Sequence, residues 1–183
     1  TYTTDPDYKG PDSYELPLTH PDGATSTSTV NVNVAPVNDA PDAVNDVAET
    51  DEETPVTIDA LNNDTDVDGD DLTITAASVP SEQGTVEFVD NMLGFTPATD
   101  FTGQASICYS IEDGNGGTDV AEVAVTVNNV NDGPVAVDDI AETDEDTPVT
   151  IDVHENDTDA DGEDLTITDA SIPAEEGTVE IVN

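Results

Sequence analysis

The amino-acid sequence predicts an all-β protein built from tandem β-sandwich repeats, and three observations carry that prediction. Val, Ile and Thr alternate with polar residues over short runs such as Leu72-Thr73-Ile74-Thr75, the two-residue period of a strand with one buried face. Gly, Pro and Asn-Asp pairs punctuate these runs as turns. The sequence also repeats itself: residues 41–90 match residues 134–183 without a gap at 35 of 50 positions, an offset of 93.

The same offset lays Tyr2 on Phe95, Asp7 on Asp100, Tyr8 on Phe101, Gly10 on Gly103 and Asn38-Asp39-Ala40-Pro41 on Asn131-Asp132-Gly133-Pro134. One register therefore organises the chain. Residues 1–40 read as the C-terminal half of a repeat, 41–133 as a complete repeat and 134–183 as the N-terminal half of another, each full unit being about the size of a small sandwich. The chain starts at Thr1 rather than Met, which reads as a piece of something longer or a processed product. The two halves are complementary and are expected either to complete a sandwich head-to-tail between identical chains or to be excerpts of a longer array.

Within the complete repeat, strands are expected at 42–48, 55–59, 72–77, 85–90, 92–96, 105–112 and 119–127, forming two packed antiparallel sheets. Alternation assigns Val56, Ile58, Leu72, Ile74, Val86, Phe88, Leu93, Phe95, Ile107, Tyr109, Ile111, Val123, Val125 and Val127 to the core. Tracing the strands up and down puts the 60–71 loop and the Asp113–Gly117 turn at the end facing the preceding repeat. The Glu49–Glu53 turn and the linker Asn128–Asp132 fall at the other end. In a head-to-tail array, one repeat's turn and linker then meet the next repeat's loop.

The composition is extreme: 44 acidic residues against one basic one, Lys9, for a net charge of -43. Nucleic acid and anionic lipid surfaces would be repelled, and no apolar run is long enough to span a membrane. With an apolar fraction of 34%, such a chain needs its charge compensated before it folds, so folding is expected to depend on bound cations or high salt. Cys108 alternates to an outer face and has no partner for an internal disulfide. His20 and His154 correspond to Asp113 and Leu61 in the neighbouring register, so neither belongs to a repeated site.

The charge concentrates in one loop, Asn62-Asn63-Asp64-Thr65-Asp66-Val67-Asp68-Gly69-Asp70-Asp71, which returns as Glu155-Asn156-Asp157-Thr158-Asp159-Ala160-Asp161-Gly162-Glu163-Asp164. Two carboxylates about 5 Å apart repel by roughly 3 kcal/mol at an effective dielectric of about 20. Alternating carboxylates ending at a Gly turn are the oxygen-rich, flexible arrangement that Ca2+ prefers, whereas Zn2+ favours His or Cys and Mg2+ a stricter octahedron. The competing reading is a solvated acidic turn. The spacing also matches the first half of an EF-hand loop, but the twelfth position is Thr75 rather than Glu, and a strand pattern follows.

Four stretches then carry a resemblance: Asn63-Asp64-Thr65-Asp66-Val67-Asp68-Gly69-Asp70; Phe95-Thr96-Pro97 with Phe101-Thr102-Gly103; Asp113-Gly114-Asn115-Gly116-Gly117; and Asn131-Asp132-Gly133-Pro134. Together and in this order they resemble the cadherin-like, immunoglobulin-like Greek-key repeats of large bacterial surface adhesins, the RTX adhesins and their VCBS relatives. The resemblance implies calcium-clamped joints, with Glu52, Asn131, Asp132, Asp159 and Asp161 sharing ions across one joint. It departs from the cadherin linker, because Asn-Asp-Gly-Pro replaces Asp-x-Asn-Asp-Asn. The full metal-ligating set expected is Glu52, Asn63, Asp64, Asp66, Asp68, Asp70, Asp113, Asn131, Asp132, Asn156, Asp157, Asp159 and Asp161.

The function that follows is a calcium-stabilised extender of a cell-surface adhesin or extracellular filament. Its partners would be neighbouring repeats or identical chains head-to-tail. A carbohydrate-binding sandwich is the alternative, disfavoured by the absence of Trp and the core-type positions of Phe88, Phe95, Phe101 and Tyr109. An enzyme is not expected, since no nucleophile, base and orienting group recur together. The Asn-Asp-Thr sequons at Asn63 and Asn156 read as metal-loop residues rather than glycosylation sites, because a glycan would crowd the joint.

Overall fold

The computed structural model describes residues 1–182; Asn183, the expected end of the third unit, lies outside the described residues. Its regular elements are nine strands: β1 (Gly10–Thr19), β2 (Thr25–Val34), β3 (Asp46–Asp51), β4 (Val56–Ile58), β5 (Thr73–Ser78), β6 (Gly84–Val89), β7 (Met92–Pro97), β8 (Gly103–Glu112) and β9 (Thr118–Asn128). Strands β3 to β9 form the complete repeat as a sheet of order β3-β9-β8-β5 packed on a sheet of order β4-β7-β6. The fold is an all-β sandwich, as the alternation predicts.

The apolar positions of β8 and β9 fill the core. Ile107, Tyr109 and Ile111 alternate inward from β8, and Val123, Val125 and Val127 from β9; Leu93 and Phe95 of β7 meet them from the other sheet. Ile58 of β4 and Ile74 of β5 are buried with them, as are Ala60 and Ala105, small side chains that a search for large apolar residues passes over. Tyr109 is 1% exposed, and its hydroxyl lies 3.1 Å from the Ala60 carbonyl oxygen and 3.0 Å from Asp46 Oδ2. That satisfies a polar group that burial would otherwise penalise.

The structure corrects the sequence expectation in four places. The first strand begins at Asp46 rather than residue 42, because the backbone N–H groups of Asp42, Ala43 and Val44 are taken by Thr65, Asp119 and Asp64. The turn after it consequently lies later, closed by the Thr54 N–H on the Asp51 carbonyl with Glu53 at φ 55°. One sheet is mixed, since β3 runs parallel to β9. Seven strands in alternating directions make the first and last parallel, so chain entry and exit fall at opposite poles. Phe88 is 55% exposed rather than core, because it sits near the end of edge strand β6, beside the turn to β7.

The two flanking segments differ. Residues 1–40 contain the antiparallel hairpin β1-β2, with Gly10 opposite Val34, the register that Gly103 and Val127 hold in the complete repeat. Among described residues 134–182 there is no strand, only an isolated bridge between Val135 and Thr158. Ile140, equivalent to Val47, and Ile151, equivalent to Ile58, are exposed there.

Candidate metal centre

The acidic loop is folded by one of its own carboxylates. Asp66 Oδ1 accepts the backbone N–H groups of Asp68 (2.8 Å), Gly69 (3.0 Å) and Asp70 (3.2 Å), so the chain closes tightly around it. Asp66 Oδ2 is buried and has no hydrogen-bond partner. Carboxylate oxygens of Asp66, Asp68 and Asp70 lie within 4.8 Å of one another. An orphaned buried carboxylate oxygen facing two more carboxylates is costly unless a cation compensates it.

The neighbouring turn closes over the same end of the sandwich. Asn115 donates its amide to Asp70 Oδ2 at 2.8 Å. Asp113 is only 4% exposed, and its carboxylate accepts the Asn38 amide (2.8 Å) and the backbone N–H groups of Asn115 (2.7 Å) and Gly117 (3.0 Å). The Asn38 amide, and then the backbone donors, hold its pKa below the usual carboxylate value. A side chain at Gly117 would press on the Ala40 Cα at 2.8 Å, so the linker's close approach requires Gly there.

A second group spans the other joint. Carboxylate oxygens of Glu52, Asp132 and Asp161 lie within 4.8 Å of one another, bringing the turn of the complete repeat, its linker and the following acidic loop to one point. Glu52 is 6% exposed and accepts the Val130 N–H at 2.6 Å, while Asp161 Oδ2 accepts the Asp132 N–H at 2.7 Å. At these separations the carboxylates repel one another. Desolvation, and then Glu52 and Asp161, push the Asp132 pKa up.

Both joints follow one plan, since the Asp39 N–H donates to Asp68 Oδ2 at 2.9 Å as Asp132 does to Asp161. Asp159 repeats the loop-closing role of Asp66, accepting the Asp161 N–H at 3.0 Å and the Glu163 N–H at 3.3 Å.

The remaining expected ligands do not join these groups. Asn63 donates to the Val44 and Asn45 carbonyls, and Asp64 accepts the Val44 N–H at 2.7 Å beside the Tyr109 hydroxyl. Asn156 and Asp157 repeat this with the Asp138 carbonyl and the Val137 N–H. These four tie each loop to the start of its own repeat. Asn131 donates its amide to the Asp132 carbonyl.

Sequence reasoning missed Asn38 and Asp39, although the 93-residue offset places them on Asn131 and Asp132. It also missed Lys9, whose Nζ lies 2.7 Å from Asp68 Oδ1. Being the chain's only basic residue was the available signal. The backbone N–H of Asp39, and then Lys9, hold the Asp68 pKa below its ordinary value.

The donor set of each group consists of carboxylate oxygens, hard ligands that suit Ca2+, and the orphaned Asp66 oxygen fits a bound cation. Among the described residues no helix is long and apolar enough to cross a membrane.

Comparison with family models agrees on the fold. The family model for a cadherin-like domain matches residues 37–128, and that for a bacterial Ig domain matches residues 131–183. Among curated proteins none matches significantly. Similar solved structures include the extracellular cadherin domains 1–5 of protocadherin gamma B2 (13% identity, TM-score 0.39, covering 82% of this chain and 37% of that one). Others are the human desmocollin-1 ectodomain (12% identity, TM-score 0.34, 68% and 29%) and an endo-fucoidan hydrolase of glycoside hydrolase family 107 (22% identity, TM-score 0.39, 67% and 19%). The chain thus spans less than two fifths of the length of each of these structures. Cadherin-like and bacterial Ig domains are typical of extracellular or surface proteins, and cadherin-like domains usually bind Ca2+. With its match running across residues 37–128 of 183, the chain belongs to the cadherin-like domain family.

Proposed function

We propose that this chain is a calcium-stabilised extender, a run of structural repeats that holds a distal domain of an extracellular adhesin away from a surface or builds a filament. One observation carries the reading: Glu52, Asp132 and Asp161, drawn from a repeat, its linker and the next loop, converge within 4.8 Å. Three carboxylates held this close splay the joint unless a cation screens them, so calcium couples joint geometry to folding. Glu52, Asp132 and Asp161 would hold the ion at the second joint; Asp66, Asp68 and Asp70 would hold it at the first, with Asp113 and Asn38 fixing the linker. Dense negative charge on the remaining surface keeps neighbouring extenders apart and soluble.

The expected partners are more copies of the same repeat. In the hairpin, Tyr14, Leu16 and Leu18 are exposed on the face equivalent to Ile107, Tyr109 and Ile111, which residues 41–90 help to cover in the complete repeat. Residues 134–182 carry nearly the same sequence as 41–90, so they fit the hairpin of an adjoining unit, within a longer array or between chains.

Calcium binding to the native state alone stabilises it by about 2.7 kcal/mol at a hundredfold excess over Kd. Thermal melting followed by circular dichroism should therefore rise with millimolar calcium and fall with chelator, and small-angle scattering should show extension. An unchanged melting temperature removes the calcium reading.

A further inference from the structure

We propose that Lys9 is a built-in counter-cation at the first joint, so that this joint responds to calcium at a higher concentration than the second. The inference rests on the calcium reading above and concerns how the two joints are tuned. Lys9 is the single basic side chain against 44 acidic ones, and it lies on a carboxylate of the acidic loop. Its Nζ holds Asp68 Oδ1 at 2.7 Å while the Asp39 N–H holds Oδ2 at 2.9 Å, so both oxygens of Asp68 already have donors. At the second joint the equivalent carboxylate, Asp161, takes the matching linker N–H and otherwise faces the carboxylates of Glu52 and Asp132.

The two joints share the bond from the linker N–H to the loop carboxylate, although Glu52 belongs to the second group alone. The loop that carries Lys9 recurs at 98–102, with Asp7 at φ 59° and Asp100 at φ 55°, which places Thr102 at the position of Lys9. Asp100 acts electrostatically on Asp132, so the 98–102 loop borders the second joint as the Lys9 loop borders the first. A cation that approaches Asp68 Oδ1 meets the positive charge of the ammonium, and the tethered ammonium still lowers the local negative potential if it moves aside. Lys9 is about half exposed, so its pairing is weak enough to exchange and strong enough to compete.

Isothermal titration of the 183-residue chain with calcium chloride tests this, using Lys9→Thr, Lys9→Arg and Thr102→Lys. The wild type should show two affinity classes, with Glu52→Gln weakening only the tighter one. Lys9→Thr should tighten the weaker class by roughly three- to tenfold, Lys9→Arg should behave as wild type, and Thr102→Lys should weaken the tighter class by a similar factor. Lys9 and Thr102 lie outside the sandwich core, and circular dichroism confirms folding of each variant. Calcium binding whose affinities Lys9→Thr leaves unchanged overturns this inference alone. Absence of calcium binding in every variant removes the calcium reading and this inference with it.

Discussion

Residues 41–90 and residues 134–182 are nearly the same sequence in two structural states. The first segment contributes β3, β4, β5 and β6, while the second contains no strand. Their local features nevertheless agree. Thr50 and Thr143 each donate a hydroxyl to the carbonyl four residues on, Glu53 and Asp146 sit at φ 55° and 61°, and the Asp42–Thr65 bridge recurs as Val135–Thr158. Turns, loop closures and caps are therefore encoded within a few residues. Strands are not, because every strand of 41–90 pairs outside it: β3 with β9, β4 and β6 with β7, and β5 with β8. The hairpin β1-β2 forms without that help because both of its strands lie within residues 1–40. Pairing distance, and not strand propensity, decides which half-repeat is ordered as sheet.

The comparison breaks most sharply at equivalent core positions. Ile58 is 7% exposed and Ile151 is 46% exposed. Ile58→Ala should cost about 2–5 kcal/mol in urea unfolding, whereas Ile151→Ala should stay within about 0.5 kcal/mol at concentrations where the chain is monomeric. Equal effects would mean that 134–182 packs a core of its own.

Glycine substitutions give a smaller contrast. A Cβ at Gly84 would run into the Thr96 carbonyl oxygen and reach the Phe95 ring at 2.8 Å, so Gly84→Ala should cost about 1–3 kcal/mol. At Gly177, the equivalent position, a Cβ meets nothing within 4 Å; φ 150° strains a side chain there too, but the residue lies outside the sandwich, so Gly177→Ala should leave the main melting transition unmoved. Scanning calorimetry of the two variants checks the pair.

The smallest expected effect concerns charge inside the complete repeat. Desolvation, and then the nearby charges of Asp64 and Asp59, push the Asp46 pKa up from 3.8 against the opposing bond from Tyr109. A raised carboxylate pKa favours the protonated form in the folded state. Its stabilising contribution is present below about pH 3.8 and is lost as pH rises through the folded pKa, so at neutral pH the ionised group is unfavourable. Asp46→Asn should raise the melting temperature by a few degrees at pH 7 and lose that advantage below about pH 4. The exposed equivalent, Asp139→Asn, should show no such rise; matching shifts would remove desolvation as the cause.

The sequence by itself determined the all-β class, the 93-residue register and most of the core, because two-residue alternation reports which face of a strand is buried. It also marked the acidic loops, since carboxylates at alternate positions are visible without a structure. Exposure of Phe88 escaped it, because alternation says which face a side chain takes and not where the opposing sheet ends. The parallel pairing of β3 with β9, the convergence of Glu52, Asp132 and Asp161, and the approach of Lys9 to Asp68 join residues 29 to 109 positions apart. The length of chain between such partners specifies no distance, and only the packing of strands into two sheets and of loops against a linker sets it.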